Sequence, residues 1–548
     1  MRAARASATI RRAHLVPMKR SLCEERSPVN APARGPQSTD AANVDVERFR
    51  LGRFLACLGA DELDVREQPI DLADIAAALD GNPRAMLFRQ AGPERAAPVG
   101  GVCASRSRLA KAFETTADGL LGELLRRLRT PQPVVEIARE QAPVQSVVRT
   151  GDEANLTALP AHLQHQLDGA PYLSASIDFA IDPATGWTNV GVRRLMLRGR
   201  RQAGIDLNAP SDLRAIYEGH VRRKAPMPIA FVVGSHPIDH VAATMRLPVD
   251  ELALLASLRG AALPVVKCVT NDIRVPADAE IVLEGYVDAA GYVEPEGPYG
   301  EFLGYYGELK QNPVSHLTAI TRRHDAVFQS ATISGKTVGR TDTAQLNALR
   351  TEAVVWRALE TAVREVKSVY AVPASGGAFH MRVALHQRAP GEARNAIAAV
   401  FACLANVKNV FVVDPDVDIF ADEQIDWALA TRFQAGRDLV ADSGFRAMPL
   451  DPSLEGARTW SKAGFDLTLP FLRPGESRPI ANRVPAPPRY EGQRFGSLDA
   501  ALADGPKFFE ELMAALASRD GREIVRQLEA HYASGRLVRD RDGRYSLK

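Results

Sequence analysis

The sequence predicts a mixed protein: an N-terminal α/β region, a β-rich centre and a second α/β region ending in helices. Three observations predict it. Residues 45–150 mix helical spacing of apolar residues with a short apolar strand. Residues 151–325 turn to strand runs broken by Gly and Pro, as in a barrel or sandwich. From 326, strand and helix patterns alternate again.

In order, residues 45–60 carry apolar positions at helical spacing, and Asp71–Ile75 opens another helix with an acid near its start. Ala85–Phe88 reads as a buried strand and residues 107–130 as helix. In the centre, 172–182, Gly191–Arg198, Ile229–Val233, Leu263–Val269, Glu280–Tyr286 and Leu317–Ile320 read as strands. One helix interrupts them at about Ser211–Arg223, with Ser211 as N-cap. Beyond 326, helices over 341–366 and 391–406 alternate with strands at Val369–Val372, His380–Leu385 and Asn409–Val413. Leu498–Ser518 and Gly521–Ser534 are helical. The domains implied are 45–150, 151–325, 326–495 and a C-terminal helical segment, 496–548, suited to oligomerisation.

Composition narrows the function. The chain has 548 residues, 46% hydrophobic and 24% charged, and a net charge of +2. That suits a multidomain globular protein with neither nucleic acid nor membrane as partner. Cys23, Cys57, Cys103, Cys268 and Cys403 are scattered, so a reducing cytoplasm is expected. No apolar run approaches the roughly 20 residues that span a bilayer. Residues 1–23 hold six Arg or Lys before the first acid, Glu24. Residues 1–44 therefore read as a disordered or over-extended start, resembling a transit peptide only in composition. G-x-G-x-x-G, Walker A, H-E-x-x-H and G-x-S-x-G motifs are all absent. His162 and His165 make too small a set for a metal site.

The strongest motif is Glu296-Gly297-Pro298-Tyr299-Gly300-Glu301. Pro298 fixes its own φ, and two glycines permit sharp turns, so one rigid turn holds two acids near a point. Carboxylates in different environments titrate apart, which lets one donate a proton while the other stays charged. Other ordered segments accompany it. Asp168-Gly169-Ala170-Pro171-Tyr172 precedes Asn189-Val190-Gly191-Val192-Arg193-Arg194; Ala243-Thr244-Met245 precedes Glu251 and Leu258-Arg259-Gly260. Val412–Asp418 and Trp427–Arg432 precede Ser461-Lys462-Ala463-Gly464-Phe465-Asp466.

Together these segments resemble the UbiD-type decarboxylases from about residue 45 to the end. That family uses prenylated flavin mononucleotide to remove, and sometimes add, carboxyl groups on aromatic, heteroaromatic or α,β-unsaturated acids. The resemblance implies a split β-barrel as the flavin-binding centre and a homodimer or homohexamer supplied with cofactor by a flavin prenyltransferase. It implies catalytic roles for Arg194, Glu296 and Glu301, with Glu301 donating the proton to a covalent flavin adduct after CO₂ leaves and Arg194 orienting the substrate carboxylate. Asn189, Val192, Arg194, Ala243, Thr244, Met245, Glu251 and Lys462 are implied at the cofactor. Asn189 and Glu251 would bind Mn²⁺ or Mg²⁺, with K⁺ beside it.

One position departs from the pattern. A histidine ligand belongs in the stretch that here reads Asn208-Ala209-Pro210-Ser211-Asp212. Asn208 is the ligand expected in its place, with Asp212 the other oxygen donor there; either makes the set all-oxygen. Asn189 and Arg194 also differ in strand parity, so a bend or bulge is expected if both serve one site. A basic groove at Arg198–Arg201 would suit a coenzyme A thioester, and loss of the acids would have indicated a non-catalytic flavin-binding subunit.

Overall fold

The computed structural model describes residues 44–403, 405–473 and 475–548. The expected N-terminal extension therefore lies, except for Val44, outside the described residues. The chain folds as two compact units. The larger comprises 44–386 and 393–467; the smaller comprises 387–392 and 468–548.

The heart of the larger unit is a closed barrel. Its strands are β2 (Tyr172–Ile181), β3 (Thr188–Leu197), β4 (Gln202–Ile205), β5 (Met227–Val233), β6 (Ile281–Val287) and β7 (Val314–Arg322), with β1 (Val147–Thr150) added at the edge of β7. The order is β6-β5-β2-β3-β4-β7, and an antiparallel β6–β7 ladder closes it. Leu173, Leu195, Ile205, Phe231, Leu283 and Leu317 fill the interior. β2 is buried along nearly its whole length, not on alternate residues. Its other face packs Ile177 and Phe179 into a second core shared with the helices outside.

Those helices correct the expectation of a single interruption. α1 (Asp212–Arg223) is capped by the Ser211 hydroxyl, which accepts the Arg214 N–H. It lies between β4 and β5, and two more, α2 (Pro237–Thr244) and α3 (Glu251–Arg259), lie between β5 and β6. The Asp250 carboxylate caps α3 through the Leu252 N–H, and Gly260 ends it at a φ of 68°. Leu263–Lys267 is a strand, but it pairs with Val134–Glu136 and Arg274–Pro276 outside the barrel.

Strands Leu63–Arg66, Ala85–Phe88 and Pro98–Gly100 form a sheet that borrows a fourth strand, Phe328–Ser330, from past the barrel. The predicted helix at 45–60 shortens to Leu51–Ala56, and that at 107–130 splits into Arg106–Ala112 and Leu120–Leu128. Helix α4 (Asp342–Ala362) leads into a mixed sheet of order 366–371, 380–385, 409–413, 459–466, 439–446. The smaller unit holds helices Leu498–Ala503, Phe509–Ala515 and Gly521–Ala533 on their own apolar core. It also has a hairpin, Leu537–Arg539 with Tyr545–Leu547, where helix alone was expected. Among the described residues no helix is long and apolar enough to cross a membrane.

Candidate active site

The Glu296–Glu301 turn is braced on both sides. Glu294–Glu296 pairs with Lys310–Asn312, and Tyr299-Gly300 pairs with Tyr306-Gly307. The Gly300 N–H donates to Asp168 Oδ1 at 3.0 Å, and Gly169 N–H to the Pro298 carbonyl at 2.9 Å. The Asp168-Gly169 segment thus holds the turn from behind. Gly297 has a φ of 98°. Gly300 is needed for a different reason: a Cβ there would stand 2.5 Å from His165 Nδ1.

Arg194 joins the two acids. Its Nε donates to Glu296 Oε1 at 3.0 Å, Nη2 to Glu296 Oε2 at 3.2 Å and Nη1 to Glu301 Oε1 at 2.8 Å. A third carboxylate, Asp206 on the loop after β4, accepts from Nη2 at 2.9 Å. The Tyr299 ring covers the guanidinium at 4.6 Å. Burial opposes the arginine's charge, but Glu301 and Glu296 more than offset it and hold its pKa well above the ordinary value. Four of its five N–H groups are taken by these three carboxylates. Lys310 Nζ stands 3.6 Å from Asp206 Oδ2 and 4.0 Å from Glu301 Oε1. Sequence reasoning missed Asp206 and Lys310.

The β2–β3 ladder is regular from Asn189 to Arg193 and slips on β2 between Leu173 and Ser176, opposite Arg194. Arg193 and Arg194 diverge: Arg193 Nε lies 3.2 Å from Asp178 Oδ1 while Arg194 reaches the glutamates.

Glu301 borders a cavity of about 350 Å³. Asn189, Val192, Ala243, Thr244, Met245 and Glu251 border the same cavity, so most residues singled out for a cofactor meet there. Asn189 Nδ2 donates to Glu251 Oε2 at 2.9 Å, and the Val190 N–H donates to the same oxygen. This leaves Asn189 Oδ1 available. Burial, then the Asp178 and Asp212 charges, push the Glu251 carboxyl up to about 8 despite the Val190 N–H. An acid raised by neighbouring acids suits a cation as its partner. Glu251 and Asp212 each occupy the first position of a helix, and both line this cavity.

Two expectations fail. Asn208 does not reach the cavity; its Nδ2 donates to Asn312 Oδ1 at 2.8 Å and to the Gln311 carbonyl at 3.2 Å. Of the two oxygen-bearing side chains, Asp212 is the one that lines the cavity with Asn189 and Glu251, because α1 begins there. Lys462 is buried elsewhere. Its Nζ donates to the Phe401 carbonyl at 2.8 Å and lies 5.0 Å from the Phe445 ring centre. Strand parity puts Lys462 on the face of Gly464, which helix Glu392–Ala402 covers through Ile397. His162 and His165 do not form a metal pair: among the described residues the His162 ring finds no well-formed hydrogen bond, and His165 Nδ1 contacts Asp168 at 3.0 Å.

The profile of the 3-octaprenyl-4-hydroxybenzoate carboxy-lyase Rift-related domain matches residues 135–337, and that of the corresponding C-terminal domain matches 344–467. An anhydromevalonate phosphate decarboxylase of Methanothermobacter thermautotrophicus is 28% identical over 426 residues, covering 77% of this chain and 97% of the relative. The UbiD-class enzyme HmfF of Pelotomaculum thermopropionicum in complex with FMN has a TM-score of 0.74 at 34% identity, covering 80% of this chain and 97% of its own. An evolved dimeric form of HmfF in complex with prFMN gives 0.70 at 32%, covering 80% and 98%. The apo 3,4-dihydroxybenzoic acid decarboxylase AroY of Klebsiella pneumoniae gives 0.72 at 27%, covering 78% and 97%. A barrel with an Arg-bridged acid pair at its cavity, both family profiles and these neighbours lead to one conclusion: the chain belongs to the UbiD family of carboxy-lyases.

Proposed function

We propose that the chain reversibly decarboxylates an aromatic, heteroaromatic or α,β-unsaturated acid with prenylated FMN in the 350 Å³ cavity and Glu301 as proton donor. The observation that carries the reading is Arg194 bridging Glu296 and Glu301 at a cavity that Asn189, Asp212 and Glu251 also border. Asn189, Asp212 and Glu251 would hold Mn²⁺ or Mg²⁺ against the cofactor phosphate, with K⁺ nearby; their oxygens suit hard cations. Val192, Ala243, Thr244 and Met245 would face the cofactor. Once bound, the cofactor supplies the electron sink that lets CO₂ depart.

The protein's own part is to place a proton. Arg194 fixes the Glu301 carboxyl through Nη1, and Glu296 and Asp206 fix Arg194. Asn312 in turn donates to Glu296 Oε2 at 3.3 Å. This chain of contacts holds the donor oxygen at the cavity wall, and orientation of that kind is what general acid catalysis needs. The thioester reading loses support, because Arg198 pairs with Glu294 and Arg201 with Asp152. The non-catalytic reading loses support from the complete Arg–carboxylate cluster. The Methanothermobacter relative is named for a phosphorylated acid, which favours an α,β-unsaturated acid as one substrate class to try.

Co-expression with a flavin prenyltransferase and anaerobic purification test the reading. Native mass spectrometry should find prenylated FMN and a divalent metal at one per chain, in a homodimer or homohexamer, and acid screening should find CO₂ release. A folded protein without flavin would sink the proposal.

A further inference from the structure

Three arginines face the cavity: Arg193, Arg246 and Arg350. Arg193 is engaged by Asp178 and by the Ser211 hydroxyl, 3.3 Å from its Nη2. Arg246 gives one long hydrogen bond, 3.4 Å, to the Pro210 carbonyl. Half-buried Arg350, on α4, makes no hydrogen bond or ion pair among the described residues. Among the described residues the charged group acting on it is another cation, Arg246; burial first, then that neighbour, push its pKa down to about 10. A half-buried cation facing a cavity, with a second cation for company, is unfavourable until an anion arrives.

The surroundings say where the anion belongs. Thr343, Leu346, Asn347 and Arg350 recur along one face of α4 and line one wall. Arg350 stands on α4, whereas Asn189 is on β3 and Glu251 begins α3, so they border the cavity from different elements.

Resting on the decarboxylase reading, we infer that Arg350, assisted by Arg246, binds a second anionic group of the substrate, so that the substrate is an acid carrying a further carboxylate or phosphate. Asn347, one turn before Arg350, gives one Nδ2 N–H to the Gly376 carbonyl at 3.3 Å and has a second for the same group. The carboxyl that leaves is met near Arg194 and Glu301, and the second anion stays bound throughout. Its contribution falls on substrate selection: a monoacid leaves Arg350 without a partner.

Paired acids test this on the flavin-loaded chain. The pairs are terephthalate with benzoate, and anhydromevalonate phosphate with its dephosphorylated acid. Calorimetry should show the dianion of at least one pair binding about ten-fold or more tighter than its monoacid. Arg350→Gln should erase that preference, change monoacid affinity less than about two-fold and leave bound flavin per chain unchanged; Arg350→Lys should restore part of it. Equal binding within both pairs, or equal losses on both members in Arg350→Gln, would overturn the inference. Loss of flavin from Arg350→Gln would overturn it too, by assigning Arg350 to the cofactor phosphate. Failure of the decarboxylase reading looks different: dianion preference would persist in calorimetry while no acid released CO₂.

Discussion

Arg259 and Arg194 are each clamped by carboxylates under an aromatic ring, in contrasting settings. Arg259 holds Asp239 through Nε and Nη2 at 2.8 and 2.6 Å, and Asp278 through Nη1 and Nη2 at 2.6 and 3.1 Å, with Phe49 at 5.0 Å. Its side chain is 0% exposed and its partners are sealed with it. Arg194 holds Glu296, Glu301 and Asp206 under Tyr299, but its side chain is 14% exposed and one partner borders a cavity. An Arg–carboxylate cluster is therefore no sign of function by itself. What distinguishes the two is access: Glu301 borders a cavity, whereas Asp239 is sealed.

The largest expected effect tests that access directly. Glu301→Gln keeps the shape of the cluster and removes the proposed donor. Turnover should fall by about 10²–10⁴-fold with flavin retained. Full turnover would remove Glu301 from the chemistry. Next comes the sealed cluster. Arg259→Met strands two buried carboxylates and should cost about 3–5 kcal/mol in denaturant unfolding. Arg194→Met should instead lose turnover with the smaller stability change. Equal stability losses would erase the distinction between the two clusters. Smaller again is Asp206→Asn, which removes a charged partner from Arg194. It should lower kcat about ten- to hundred-fold while KM and flavin content hold. An unchanged kcat would make Asp206 a bystander.

The Arg194 cluster is legible in the sequence to different depths. Glu296 and Glu301 share one short turn, so a local motif reveals them, and a strand carrying Arg194 comes with it. Lys310 stands opposite Glu296 on the paired strand, and Asp206 follows β4, the partner of the strand that carries Arg194; strand pairing brings them in, and no local spacing connects them to Glu301. Choosing Asn208 over Asp212 fails because the answer depends on where α1 starts. Lys462 fails on strand parity, within a sheet whose last two strands, 439–446 and 459–466, stand outside the strands expected from the sequence. Helices α2 and α3 leave little periodicity to read, since both are short and buried nearly all round. The barrel strands stand out through apolar runs and Gly/Pro breaks. Such runs do not reveal sheet membership, which is why Leu263–Lys267 reads as part of the barrel and is not.

The smallest effect compares the two regions through their buried histidines. His236 is fully enclosed and held well below its usual pKa, by burial first and then by Arg259. His162 lies two residues before Gln164, whose Oε1 accepts the Tyr299 hydroxyl. Burial lowers the pKa of His162 to about 4, only partly offset by the Pro160 carbonyl. Well above pH 6.5 it is neutral in both folded and unfolded chains, and its contribution to stability is complete. As pH falls from 6.5 toward 4 the unfolded chain takes up a proton that the folded chain refuses, so stability declines. At pH 5 the loss is about 2 kcal/mol. His162→Phe should remove that part of the acid sensitivity, flattening unfolding free energy between pH 6.5 and 5 relative to the parent. An unchanged slope would mean that the His236 side, next to Arg259, governs acid unfolding, and the sealed cluster would then be the acid-labile half of the pair.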